Sequence, residues 1–206
     1  MTTTENGKFI ALYGINGIGK TTQTDLLVSS LRSRGIPVVH VKYPVYDLAP
    51  EGPFLYNYLR SAAFREEHKL TTHELQLKFA ENRKRYDDVV KKQLAEGQWI
   101  IAEDYVGTGI AWGLAWGGAL HYLEEINEGL LQSDLTILLD GDRFLTFIEK
   151  GHVNEVNAER LAICRSFLLL LGEKHKWRTA RANQRIADVH KDIMQIVEEE
   201  LLRNIL

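Results

Sequence analysis

The sequence predicts an α/β fold of three layers, a central parallel sheet of about five strands with helices on both faces. Two patterns and a turn predict it. Short apolar, β-compatible runs recur at residues 9–13, 38–41, 99–102 and 135–139, and segments with a helical apolar period separate them. Each crossover helix must then pack back on the sheet, which favours parallel strands. A glycine-rich turn, residues 14–19, follows the first run directly. The chain has 206 residues, inside the soft limit of about 250 for a single core, so residues 1–206 are read as one domain.

Phe9-Ile-Ala-Leu-Tyr13 reads as a strand stopped at Gly14, and residues 22–31 follow as a helix with Leu26, Leu27 and Leu31 on one face. Gly35 and Pro37 end that helix, and Val38-Val-His-Val41 is a second strand running to Tyr43-Pro44. Three prolines and a glycine in residues 44–53 predict a structured loop, after which Phe54, Leu55, Tyr58 and Leu59 predict a short helix. Thr71-Thr-His-Glu74 has capping-box spacing and opens a long helix that Gly97 stops, with Leu75, Phe79, Tyr86, Val90 and Leu94 along one stripe. Trp99-Ile-Ile-Ala102 is a third strand; it ends in the acidic pair Glu103-Asp104, before a glycine-rich stretch over 107–118.

Residues 120–131 read as helical, Leu135-Thr-Ile-Leu-Leu139 as a fourth strand, and Asp142 as the cap of a short helix. A polar stretch, 151–157, precedes a helix bearing Leu161, Cys164, Leu168 and Leu171. Residues 177–180 form a weak fifth strand, and Ile186, Val189, Ile193, Ile196, Val197 and Leu201 mark a final amphipathic helix.

Composition excludes several classes. With 45% hydrophobic and 26% charged residues, a disordered chain or a coiled coil is disfavoured. Lys and Arg number 25 against 28 Asp and Glu, a net charge of -3, so a general DNA or RNA partner is not expected. Cys164 is the one cysteine, which precludes an intrachain disulfide and a Cys-based zinc site. The polar N-terminus lacks the features of a secretion signal, and no apolar run approaches the roughly 20 residues of a membrane span. A soluble cytoplasmic protein is expected.

Gly14-Ile-Asn-Gly-Ile-Gly-Lys-Thr21 satisfies G-x-x-x-x-G-K-[ST] in the context that motif requires, after a strand and before a helix. Backbone N–H groups of Gly14, Asn16, Gly17, Ile18 and Gly19 are expected to turn onto phosphate oxygens beside the positive end of the helix. Lys20 reaches the terminal phosphates, the Thr21 hydroxyl ligates Mg²⁺, and Thr22 supports the α-phosphate side. Nucleotide binding with Mg²⁺ is therefore expected. Phe79 and Arg83 are four residues apart and share a helix face, where a ring and a planar donor fork suit a pyrimidine base. Their spacing equally fits a core phenylalanine beside an Arg83–Asp87 surface pair. Glu103 and Asp104 end a strand aimed at the same sheet edge as Lys20, where carboxylates orient metal-bound water or an acceptor oxygen; a hydrated acidic strand end is the alternative. Tyr105 packs on an acceptor sugar or fills the core.

These motifs together resemble the thymidylate kinase family of P-loop nucleoside monophosphate kinases, over about residues 9–200. Gly14 to Gln23 resembles the family's phosphate loop with its trailing Thr-Thr-Gln, and Tyr43-Pro44 its Phe/Tyr-Pro substrate loop. Phe79-Ala-Glu-Asn-Arg83 resembles its aromatic–arginine pair, and Glu103-Asp-Tyr-Val-Gly-Thr-Gly-Ile-Ala111 its Asp-Arg-Tyr segment. The resemblance implies a P-loop kinase fold and phosphorylation of a pyrimidine deoxynucleotide, most simply dTMP to dTDP. It also implies Lys20, Glu103 and Asp104 as catalytic residues, Thr21 and Glu103 at the metal, and Tyr43, Pro44, Phe79, Arg83 and Tyr105 around the acceptor. Ala182 and Asn183 would meet adenine, a lid would span about 149–160 with Lys150, His152 and Arg160 as its donors and Arg143 preceding it, and a homodimer is implied.

Three positions depart from the family pattern. Asn16 replaces an aspartate of the phosphate loop, Tyr46 an arginine two residues after Pro44, and Asp104 the arginine of Asp-Arg-Tyr. Either Lys42, Arg60, Arg65 or Arg83 supplies the missing positive charge to a monophosphate, or Asp104 accepts from an unphosphorylated sugar hydroxyl, as in a nucleoside kinase. Asp104-Tyr-Val-Gly107 also reads as the D-x-x-G of a GTPase, but N-K-x-D is lacking. An inactive nucleotide-binding module is the remaining alternative.

Overall fold

The computed structural model describes residues 7–144, 151–154 and 157–203. Five parallel strands form one sheet in the order β2-β3-β1-β4-β5: β1 Phe9–Tyr13, β2 Val38–Lys42, β3 Trp99–Glu103, β4 Leu135–Asp140 and β5 Arg178–Arg181. β1 is central and buried at every position, as is β3, which is why both read as unbroken apolar runs rather than alternating ones. β5 lies at an edge and buries only Ala180 of its four residues, so its pattern is weak in sequence.

Helices α1 Lys20–Ser33 and α8 Ile186–Val197 pack together, and α5 Val106–Ala115 packs between α4 Thr72–Ala95 and α7 Ala158–Lys174. These two groups cover the two sides of the sheet. A π-helical turn, Glu198–Leu202, continues α8. The capping box of α4 forms as its spacing predicts: Thr71 Oγ1 accepts from the Glu74 N–H at 3.2 Å while the Thr71 N–H donates to Glu74 Oε2 at 2.8 Å.

Several local expectations are corrected. Helix α2, Glu51–Arg60, starts inside the proline-rich stretch; Pro53 occupies its first turn, where a backbone donor has no helical partner to lose. A further short helix, α3 Ala62–His68, follows it, capped by Ser61 accepting from the Phe64 N–H at 3.2 Å. The glycine-rich stretch is largely helical, as α5, because its glycines serve close packing. A Cβ on Gly107 would lie 2.6 Å from both Trp177 and Tyr13, one on Gly113 2.5 Å from Leu123. Helix α6 is limited to Leu120–Glu125. Residues 141–144 are not helical, and the short helix expected after Asp142 otherwise falls outside the described residues. No described helix is long and apolar enough to cross a membrane.

The connection from β1 passes β3 to reach β2, whereas the connection from β3 passes β1 to reach β4, so these neighbouring strands send the chain in opposite directions. In an open parallel sheet that divergence opens a crevice.

Candidate active site

The crevice is a cleft of about 660 Å³ that runs without a break from the phosphate loop, past the ends of β2 and β3, to the middle of α4. Asn16, Gly17, Ile18, Gly19, Lys20, Thr21 and Thr22 line one end. Gly17 and Gly19 have φ of 75° and 94°, a region that disfavours a side chain, and this turns the loop into the start of α1. No side chain caps that helix, so its first N–H groups remain available to an anion. Lys20 folds back over its own loop: it is 6% exposed, and Nζ donates to the carbonyls of Gly14 at 2.9 Å and Ile15 at 3.0 Å. Gly14 itself does not line the cleft; its oxygen instead anchors Lys20.

The middle of the cleft holds the charges. Glu103 and Lys42 are register partners at the ends of β3 and β2, so their side chains meet. Glu103 Oε1 accepts from Thr21 Oγ1 at 2.9 Å and from Lys42 Nζ at 2.8 Å, and the same ammonium donates to Thr21 Oγ1 at 3.0 Å. Burial opposes ionisation of Glu103, but the His40 ring beside it and the Lys20 and Lys42 cations outweigh that, holding its carboxyl down at about 2. His40 Nε2 stands 3.5 Å from Oε2. Burial also works against the charge on Lys42, yet Glu103 prevails and raises its affinity for a proton.

Asp104 follows in a left-handed conformation, φ 64°, that turns it out of the strand toward Lys20. Its Oδ1 lies 3.4 Å from Lys20 Nζ and accepts from Thr108 Oγ1 at 3.1 Å. Burial pushes its pKa up, the Lys20 ammonium pulls it down, and neighbouring Glu103 adds to the rise. The two adjacent carboxyls are thus driven apart, that of Glu103 lowered and that of Asp104 raised.

At the far end, Gln76, Phe79 and Arg83 share a face of α4 and line the cleft. Arg83 is 2% exposed, and its Nε donates to Asn127 Oδ1 at 3.0 Å. Burial lowers its pKa to about 10 against the opposing influence of Tyr105, Tyr13 and Tyr43. The Arg83–Asp87 surface pair does not form; Asp87 takes Lys91 at 2.6 Å. Arg83 Nη2 and Gln76 Oε1 are buried without a hydrogen-bond partner among the described residues. One unmet donor and one unmet acceptor therefore belong to residues that line the same cleft.

The loop between β2 and α2 closes this end. Buried Asn82 clamps it, with Oδ1 accepting from the Val45 N–H at 2.8 Å and Nδ2 donating to the Val45 carbonyl at 3.0 Å. Tyr43, Pro44 and Tyr46 consequently line the cleft. Arg60 also lines it, its guanidinium 4.9 Å from the Tyr46 ring centroid and 4.3 Å from that of Tyr56.

The family model for thymidylate kinase matches residues 12–193. The chain belongs to the thymidylate kinase family. It is 28% identical to the thymidylate kinase of Idiomarina loihiensis over 95% of this chain and 99% of that one. It is likewise 28% identical to a probable thymidylate kinase of Pyrococcus horikoshii, over 95% and 98% of the two chains. The solved thymidylate kinase of Candida albicans shares the fold, with a TM-score of 0.78 at 22% identity, covering 94% of this chain and 92% of the other.

Within this thymidylate kinase fold, the residues expected from sequence do not all reach the cleft. Tyr105 does not line it: it is buried, with ring centroids 5.1 Å from both Phe9 and Tyr43, and so packs beneath the Tyr43 that does line the cleft. Ala182 lines the cleft with Gln184, Ile186 and Val189, whereas Asn183 turns away to bond Asp142, its Oδ1 accepting from the Asp142 N–H at 2.6 Å. Arg65 is spent on the Tyr58 and Leu59 carbonyls at 2.9 and 3.2 Å. Of the lid cations, Lys150 lies outside the described residues. Arg160 stacks on Trp116 at 5.0 Å and donates to the Ala115 carbonyl at 2.6 Å, away from the phosphate loop. His152 and Asn154 do line the cleft, and the Val153 N–H donates to the Leu59 carbonyl at 2.9 Å, which ties this segment to the acceptor side. Phe144 reaches the other end, its N–H donating to the Gly17 carbonyl at 2.9 Å. Sequence reasoning passed over Gln76, Asn82 and Thr108; the first two sit at α4 positions whose polarity conflicts with an inward face, a signal that was present.

Proposed function

We propose that this chain transfers the γ-phosphoryl group of ATP to the 5′-phosphate of dTMP, giving dTDP, as one kinase domain with a lid at about 149–160. The observation that carries the reading is the single cleft joining Lys20 and Thr21 to the Phe79–Arg83 end through Glu103. A phosphoryl donor held by the loop and an acceptor held by α4 would meet at the two carboxyls.

Oxygen donors suit magnesium, and Thr21 Oγ1 and Glu103 Oε1 stand 2.9 Å apart with the Lys42 ammonium against both, a cation already seated there. Among the described residues no group of three His, Cys, Asp or Glu side chains could hold a metal alone, which fits an ion that shares its coordination with phosphates. Thr21 and Glu103 would hold it, and when bound it neutralises charge building on the transferring group.

The protein's own work is positioning. The loop N–H groups and the open end of α1 bind the phosphate chain, and Lys20 leaves its carbonyl anchors for the terminal phosphates. Phe79 stacks on the base. Arg83 Nη2 donates to a ring carbonyl and Gln76 Oε1 accepts an imide N–H, a pairing that thymine or uracil presents and cytosine does not. Asp104 orients Lys20 across their 3.4 Å contact.

The test is transfer from Mg-ATP across thymidine, dTMP, dUMP, dCMP and UMP. Turnover of dTMP above the others supports the reading. Turnover of thymidine without dTMP would overturn it in favour of a nucleoside kinase, for which the carboxylate at Asp104, in the place of an arginine, is the motivating observation.

A further inference from the structure

We propose that Lys42 is a resident cation which occupies the place between Thr21 and Glu103, yields it to the divalent ion as the nucleotide binds, and then turns to the phosphate of the acceptor. This rests on the phosphotransfer reading above and names a positioning residue within it.

The geometry requires a cation where Lys42 sits. Glu103 is 2% exposed, and a carboxylate that deep needs a cation against it before any nucleotide arrives. Lys20 is committed elsewhere, to the Gly14 and Ile15 carbonyls and to Asp104. Lys42 fills the vacancy with contacts of 2.8 Å to Glu103 Oε1 and 3.0 Å to Thr21 Oγ1, the two oxygens a phosphate-bound divalent ion would take.

Lys42 is also built to leave. Half of its side chain is exposed, it extends from the last residue of β2, and it lines the cleft. A lysine ammonium is a point charge on a flexible stem, whereas Mg²⁺ carries twice the charge and prefers oxygen ligands in fixed geometry. With phosphates to complete the coordination, Thr21 and Glu103 would hold a divalent ion in place of the ammonium, and Lys42 would be released. The released charge stays in the middle of the cleft, between the phosphate loop and the α4 end where the acceptor would lie.

Titration calorimetry of ATP against the full chain, once in EDTA and once in Mg²⁺, tests this with wild type, Lys42→Met and Lys42→Gln. Removing the ammonium weakens metal-free binding, which loses its substitute cation, and strengthens metal-dependent binding, which loses a competitor. Both effects raise the ratio of the two dissociation constants, by about tenfold or more for charges this close. The KM for dTMP rises in the same variants while that for Mg-ATP does not. The half-exposed position makes loss of the fold unexpected, and either neutral variant suffices. An unchanged ratio in a folded variant that binds ATP would overturn the role of Lys42 and leave the kinase reading intact. Wild-type protein that binds no ATP in either buffer would overturn both.

Discussion

Replacing Glu103 by glutamine keeps the outline of the side chain and removes one charge from a cluster built around it. Holding this carboxyl at about 2, below the ordinary glutamate value of about 4.3, corresponds to about 3 kcal/mol of folding stability at neutral pH. Because the folded value is depressed, that contribution is complete above the ordinary value and is lost as pH falls from there toward about 2. Glutamine still accepts from Thr21 and Lys42 but gives the two lysines no counter-charge, so Glu103→Gln should unfold about 1–3 kcal/mol more easily at neutral pH. Urea denaturation from neutral pH down to about pH 3 reads both quantities. Wild type should lose stability over the acid part of that range, and the two proteins should converge there. Equal stability at neutral pH with parallel acid slopes would refute the claim that Glu103 is ionised and paired in the folded protein.

Three other perturbations address separate parts of the site. Gly109→Ala places a Cβ 2.9 Å from Arg83 Nη2 and should raise the KM for dTMP severalfold while leaving ATP binding as it was; calorimetry with each nucleotide checks it. Asn82→Ala removes both bonds that hold Val45 and should cost about 1–3 kcal/mol in chemical denaturation, with weaker dTMP binding as the loop loosens. Lys20→Ala should abolish most phosphoryl transfer, with a far-UV circular dichroism spectrum like that of wild type; unchanged turnover would contradict its placement at the terminal phosphates.

Much of the fold was legible because its signals are local. The first strand, the glycine turn and α1 are contiguous, and the Thr71 capping box is written in four residues. Helix α5 was obscured because Gly107, Gly109 and Gly113 look like turn residues. Their need for close approach to Tyr13, Arg83 and Leu123 exists only after the chain is folded. The site divides in the same way. The phosphate-loop residues carry their chemistry in their spacing. The Lys42–Glu103 contact instead depends on the pairing of β2 with β3, which no spacing encodes. The surroundings of Arg83 come from other segments, with Gly109 of α5 against its guanidinium and Asn127 accepting from its Nε, and periodicity along α4 says nothing of them. Tyr105 was left open between core and ligand for the converse reason: an aromatic residue beside a functional acid is equally suited to both.

The central claim is that donor and acceptor occupy one continuous cleft. A molecule with adenosine and thymidine ends joined through a polyphosphate tests it most directly by calorimetry. The account predicts one molecule bound per chain, more tightly than either ATP or dTMP and in competition with both. Binding no tighter than ATP alone, with dTMP still able to bind afterwards, would show two separate sites and contradict the account.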